Sequence, residues 1–163
     1  RPFVFFKLAL SANGVATGGT ISSLDSRVMV HRLRDRCDLL VIGGNTVRID
    51  RPLLDARLCH GKAPDVLIYS RIQEFDKSIP LFANQHRNVF IEPHLDRIKS
   101  YTMVMVEGGE EMVKAMKEHV TWYLIFRSPH YKEGVPLTLP NGLREVFSQS
   151  IGEDTMTWYV RDV

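Results

Sequence analysis

Two apolar runs in this chain each end on a pair of glycines. Leu39-Leu40-Val41-Ile42 leads into Gly43-Gly44, and Met103-Val104-Met105-Val106-Glu107 leads into Gly108-Gly109. An unbroken apolar run fits a strand covered on both faces, as in a parallel sheet. In such sheets ligands sit beyond the carboxyl ends of the strands. Glycine there lets a ligand approach the backbone without meeting a Cβ. Glu110 to Lys117 reads as a helix whose free N–H groups face the second glycine mouth, a seat for phosphate. The pattern therefore predicts an α/β fold built around a nucleotide-like, phosphate-bearing ligand.

At 163 residues the chain is expected to form one domain, 1–163. Lys plus Arg number 21 and Asp plus Glu 19, an excess of 2 that gives no reason to expect nucleic acid. Cys37 and Cys59 are too few for a disulfide framework or a zinc site, which fits reduced thiols in a cytoplasmic enzyme. No apolar run approaches the roughly 18 residues of a membrane span. The first residue is Arg1 rather than methionine, which fits a domain excised from a longer chain.

Strands are expected at 3–10, 38–42, 66–69, 88–91, 103–106 and 122–126, with an antiparallel closing pair at 143–147 and 156–160. Gly18-Gly19 continues a loop after the first strand. A helix runs from an N-cap at Ser22 to about Cys37. Met29, Leu33 and Cys37 form its buried stripe, and Arg27, His31 and Arg34 another face.

Four groups could carry chemistry. In the stretch from Gly43 to Arg57, Thr46 offers a hydroxyl, Asp50 an acceptor and Arg57 a planar fork for a phosphate monoester. The plain alternative is a surface loop. Lys7 is either an edge-strand gatekeeper or a cation aimed into a site. Glu107 closes a buried strand at the ligand end, or caps the following helix. Arg27, His31 and Arg34 form either a solvated face or, at Arg34, a phosphate clamp. Ser70-Arg71, just past a strand, is either a solvated turn or a candidate for a 2′-phosphate contact. The histidines share no metal spacing, and no Walker A, G-x-S-x-G or G-x-G-x-x-G motif occurs.

Together these residues resemble the riboflavin-biosynthesis reductase domain, a family with the dihydrofolate-reductase-like fold. Its K-x-A-x-S-x-[DN]-G pattern stands at Lys7 to Gly14 and its H-x-L-R helix end at His31 to Arg34. Its long D-x-[IL]-x-[VT]-G-x-x-T block stands at Asp38 to Arg57, and V-E-G-G at Val106 to Gly109. The resemblance implies a three-layer fold, with a mostly parallel central sheet, helices on both faces and an antiparallel C-terminal edge. It implies an NADPH-dependent oxidoreductase that converts the ribosylamino chain of a phosphorylated aminopyrimidine to a ribitylamino chain.

By that likeness Ala9, Thr46, Asp50, Gly108, Gly109, Glu110 and Glu111 hold NADPH. Arg34, Leu54 and Arg57 hold the substrate, the arginines serving its phosphate. Lys7 and Glu107 lie near the ribose. A homodimer and a fused or paired zinc deaminase are expected partners. Arg51 replaces the family's second acid before proline, and Gly18 to Ser22 replaces a Trp-containing stretch. A pterin or dihydrofolate reductase of the same fold, or a non-catalytic nucleotide-binding domain, are the alternative readings.

Overall fold

The computed structural model describes residues 1–16 and 21–162. In chain order its elements are β1 (Phe3–Leu10), α1 (Leu24–Arg36), β2 (Leu39–Gly43), α2 (Gly44–Asp50), β3 (Asp65–Tyr69), β4 (Val89–Glu92), β5 (Met103–Glu107), α3 (Glu110–Ala115), β6 (Trp122–Arg127), β7 (Leu143–Ile151) and β8 (Asp154–Arg161). The predicted glycine loop at Gly18-Gly19 lies outside the described residues. The chain groups into two compact units, one of Arg1–Phe3 with Val30–Glu107, the other of Val4–Met29 with Gly108–Val163.

In the first unit four strands run parallel in the order β4-β3-β2-β5. Leu39 to Ile42 and Val66 to Ile68 are buried without a break, as their continuous hydrophobicity requires. Side chains from the two faces of β2 therefore meet apolar neighbours, each contributing roughly 1.5–3 kcal/mol.

In the second unit β1 pairs parallel with β6, while β8 lies antiparallel between β6 and β7. Phe5, Phe6, Tyr123 and Phe126 form its aromatic core, with Phe6 stacked on Tyr123 at 6.2 Å. The predicted closing hairpin is present, turning at Gly152 with φ 57, where a Cβ would meet the Asp25 carboxylate at 2.5 Å. The segment after β6 is tied back to the first loop. The Asn13 amide donates to Lys132 O at 2.7 Å and accepts from its N–H at 3.0 Å. The Asn of the K-x-A-x-S-x-N-G pattern thus fastens a loop.

Two details of α1 differ from the sequence reading. Its cap is Ser23, not Ser22: Ser23 Oγ accepts from Ser26 N–H at 3.3 Å. Asp154 Oδ2, from β8, accepts from Ser23 N–H at 2.8 Å and from Ser26 Oγ at 2.7 Å. A cap supplied from 131 residues away leaves no local signal. The buried stripe is also turned by one residue, to Ser26, Val30 and Cys37, with His31 buried beside it; Met29 and Leu33 are only half-buried. Consequently the basic face is not solvated, since His31 and Arg34 turn inward and Arg27 alone is exposed.

The helix α2 occupies what read as a loop. Asn, Thr, Val, Ile and Asp are modest helix formers. Tertiary packing decides instead: Val47 is fully buried, and Gly44 packs so closely on Ser70 that a Cβ would lie 2.7 Å from its Oγ. The helix stops at Arg51, left-handed at φ 46, just before Pro52.

Candidate active site

The first unit gathers the predicted substrate residues around the segment 54–58. Glu107, at the carboxyl end of β5, is buried. Arg34, near the end of α1, grips it with Nε at 3.3 Å and Nη2 at 3.2 and 3.3 Å from its two oxygens. The Arg34 Nη1 donates to Asp55 O at 3.2 Å. Arg57 opens a 3-10 turn, Arg57–Cys59, and pairs with the Asp55 carboxylate at 2.7 Å. Its side chain is 57% exposed whereas that of Arg34 is 12% exposed, so Arg57 is the arginine presented to solvent.

Leu54 is buried and left-handed at φ 56, an unusual state for a branched side chain. His31 Nδ1 accepts from Leu58 N–H at 3.2 Å. Burial, then the positive charges of Arg34 and Arg57, push the His31 pKa down to about 4, so its ring is neutral at physiological pH. With Nδ1 accepting, the ring proton belongs on Nε2. The contact from Nε2 to Arg34 Nη1 at 3.4 Å then faces donor to donor and is not a hydrogen bond.

The predicted cofactor residues of this unit surround α2. Thr46 is half-buried and Asp50 exposed, on successive turns. The Ser70 hydroxyl donates to Ile72 O at 2.7 Å and accepts from Ile72 N–H at 3.2 Å, closing its own turn. Arg51 pairs with Asp76 at 3.0 Å and donates to Ser78 Oγ at 2.8 Å. The bonds from Ser78, then that from Arg51, draw the Asp76 pKa down to about 2. An open depression of about 410 Å³ is lined by Arg48, Arg51, Glu74, Phe75, Asp76 and Ile79. None of the predicted site residues lines it.

In the second unit Lys7 and Ala9 are half-buried on β1, opposite Leu124 and Phe126 of β6. The two glycines after β5 do different work. Gly108 has φ 153, and a Cβ there would lie 2.7 Å from Met112 Cβ; at Gly109 no atom of the described residues lies within 4 Å of that position. Gly108 therefore serves the backbone, and Gly109 leaves room against it. The helix α3 is only 6 residues long, shorter than predicted, and its first turn carries Glu110 and Glu111. The Glu110 carboxylate accepts from Thr138 N–H at 2.7 Å. Two carboxylates at that terminus oppose a phosphate there. Sequence reasoning missed Asp55, His31 as a buried acceptor, and Arg87, whose Nη2 donates to Leu54 O at 2.5 Å. No spacing links Arg87 to the Asp38–Arg57 block.

Residues 2–120 match the family model for the RibD C-terminal domain. The chain belongs to that family. Its α/β fold is of the dihydrofolate-reductase-like type, and the curated proteins it matches are named for riboflavin biosynthesis. It is similar to the riboflavin biosynthesis protein RibD of Synechocystis, at 31% identity over 64% of this chain and 33% of that protein. It is 30% identical to the chloroplastic riboflavin biosynthesis protein PYRR of Arabidopsis thaliana, over 69% of this chain and 20% of that one. The chain thus spans a third or less of the length of these relatives.

Among solved structures, a Thermotoga maritima diaminohydroxyphosphoribosylaminopyrimidine deaminase/5-amino-6-(5-phosphoribosylamino)uracil reductase matches with a TM-score of 0.80 and 20% identity. The match covers 99% of this chain and 57% of that one. The riboflavin biosynthesis reductase Rib7 of Saccharomyces cerevisiae matches with a TM-score of 0.69 and 19% identity, over 98% and 89% of the two chains.

Proposed function

We propose that this domain uses NADPH to reduce the ribosylamino side chain of a 5-amino-6-(5-phosphoribosylamino)uracil-type substrate to the ribitylamino product. The observation that carries the reading is Arg57, an exposed guanidinium held on a pinned segment in a chain of this family. A planar fork in that state suits a phosphate monoester. Arg34 supports the same segment through Asp55 O, and Leu54 supplies its apolar wall.

What supports a dinucleotide in this reading is that, among the described residues, the backbone at Gly109 is open where a Cβ would stand. Gly108 to Glu111, Ala9, Thr46 and Asp50 would hold the cofactor, with Ser70 beside α2. NADPH supplies the hydride, and the protein supplies orientation and exclusion of water. Lys7 is the group assigned to polarise or protonate the ribose end, and Glu107 to fix Arg34 and border the ribose. The active form is proposed to be a cytoplasmic homodimer, fused to or paired with a zinc deaminase. No helix among the described residues is long and apolar enough to cross a membrane.

The test is turnover with NADPH or NADH, supplying the ribosylaminopyrimidine phosphate in deaminated and undeaminated forms. Turnover with one form supports the reading and places the deamination step. Measurable NADPH binding without turnover of either form favours a binding domain instead.

A further inference from the structure

Three arginines surround the segment 54–57, and they differ in what balances their charge. Arg34 is paired with Glu107 and Arg57 with Asp55. Arg87, in the bend before β4, makes no ion pair among the described residues, although it is only 7% exposed. Its Nη2 donates to Leu54 O at 2.5 Å, while its Nε and Nη1 are buried and have no partner among the described residues. Burial pushes its pKa down from the usual guanidinium value, Asp55 pushes it up, Arg34 down and Asp65 up. Asp65 is itself engaged by Asn88 N–H at 2.9 Å and Tyr101 OH at 2.8 Å.

A buried cation with no carboxylate partner is costly, and unsatisfied buried N–H groups add to that cost. What Arg87 does hold is the carbonyl of a left-handed leucine, one residue before Asp55 and three before Arg57. Successive carbonyls of this segment, Leu54 O and Asp55 O, are thus fastened by two different arginines, and Leu58 N–H by His31. The motif arginines are already neutralised by carboxylates, so the positive charge left over behind the segment belongs to Arg87.

We propose that Arg87 is the positioning residue for the substrate's phosphate end. It fixes the Leu54–Arg57 segment through Leu54 O and supplies the uncompensated positive charge that lets this segment take up an anion. This rests on the phosphate-binding reading given above for Arg57. Arg87 touches no ligand in this account, because its nitrogens are buried; it acts through Leu54 and through its field.

The test uses the full chain and D-ribose 5-phosphate as the probe, with affinity measured by calorimetry beside NADPH affinity and thermal unfolding. Arg87→Gln keeps a donor for Leu54 O and removes the charge. It is expected to weaken ribose 5-phosphate binding at least tenfold while leaving NADPH affinity within twofold. In turnover it should raise substrate KM with little change in kcat. Arg87→Lys, which restores the charge, is expected to bind the probe within threefold of the unsubstituted protein.

Unchanged probe affinity in folded Arg87→Gln protein overturns the proposal. So does a parallel loss of probe affinity, NADPH affinity and melting temperature, which marks a purely structural arginine. If Arg87→Gln does not fold, Arg87→Lys decides, and a tenfold loss in that folded variant overturns the proposal. An unsubstituted protein that takes up no ribose 5-phosphate overturns the phosphate-end reading itself, a result distinct from the failure of Arg87 alone.

Discussion

Replacing Glu107 by Gln separates what that carboxylate does for the fold from what it does for a ligand. In the structure Glu107 receives three contacts from Arg34 at 3.2–3.3 Å, with side chains only 9% and 12% exposed. The substitution leaves the Arg34 guanidinium charged, largely out of water and without its counter-ion. Breaking a buried pair from one side costs about 3–5 kcal/mol. For a chain of this size each kcal/mol lowers the melting temperature by roughly 2–4 °C, so a fall of about 6–20 °C is expected.

The double variant Arg34→Met, Glu107→Gln removes the stranded charge and should recover a substantial part of the loss. Urea unfolding of the single and double variants, followed by circular dichroism, measures both quantities. A Glu107→Gln loss below about 1 kcal/mol, or a double variant no more stable than the single one, refutes the reasoning. In that case Glu107 is free to be read as a ligand contact first.

Four further outcomes follow from the same geometry. Gly108→Ala should destabilise the chain by about 1–3 kcal/mol, because its φ of 153 and the Met112 side chain both exclude a methyl group. Gly109→Ala should change stability by no more than about 0.5 kcal/mol, while weakening NADPH binding in a fluorescence titration. His31 is held neutral with its pKa lowered to about 4, so the unfolded chain binds more protons between about pH 4 and 6.5. Its contribution of about 3 kcal/mol is present above pH 6.5 and lost as pH falls toward 4. Urea midpoints at pH 4.5 and 7 should therefore converge in His31→Gln. Arg57→Ala should raise substrate KM by about 10- to 150-fold, the cost of roughly 1.5–3 kcal/mol for a charged hydrogen bond, with the KM for NADPH unchanged.

The strands were the legible part of this fold. β1 runs Phe3–Leu10 as its aromatic and branched residues suggested, and each later strand lies within a few residues of its expected place. Burial on both faces imposes continuous hydrophobicity, and that signal is local. The α2 helix was hidden because Gly44, Asn45, Thr46 and Asp50 carry loop chemistry, while the packing of Gly44 on Ser70 is a contact across 26 positions of chain. The cap of α1 was displaced for the same reason, since half of it comes from Asp154.

At the candidate site, the sequence motifs name Arg34, Leu54, Arg57 and Glu107 but not the partners the structure gives them. Arg34, Leu54, Arg57 and Glu107 do gather within one unit. Pairing of Arg34 with Glu107, and of Arg57 with Asp55, depends on the depth at which β5 and α1 place them. Arg87 carries no motif at all. A buried guanidinium in an unpatterned bend declares itself only through the carbonyl it holds.

Hydride delivery tests the functional account most directly. NADPH deuterated at the transferred position of the nicotinamide is supplied with the ribosylaminopyrimidine phosphate, and the product is examined by proton NMR and mass spectrometry. The account predicts one deuterium at C1′ of a ribitylamino product. Recovery of unreduced substrate, or deuterium carried on the pyrimidine ring with the ribosyl chain intact, contradicts it.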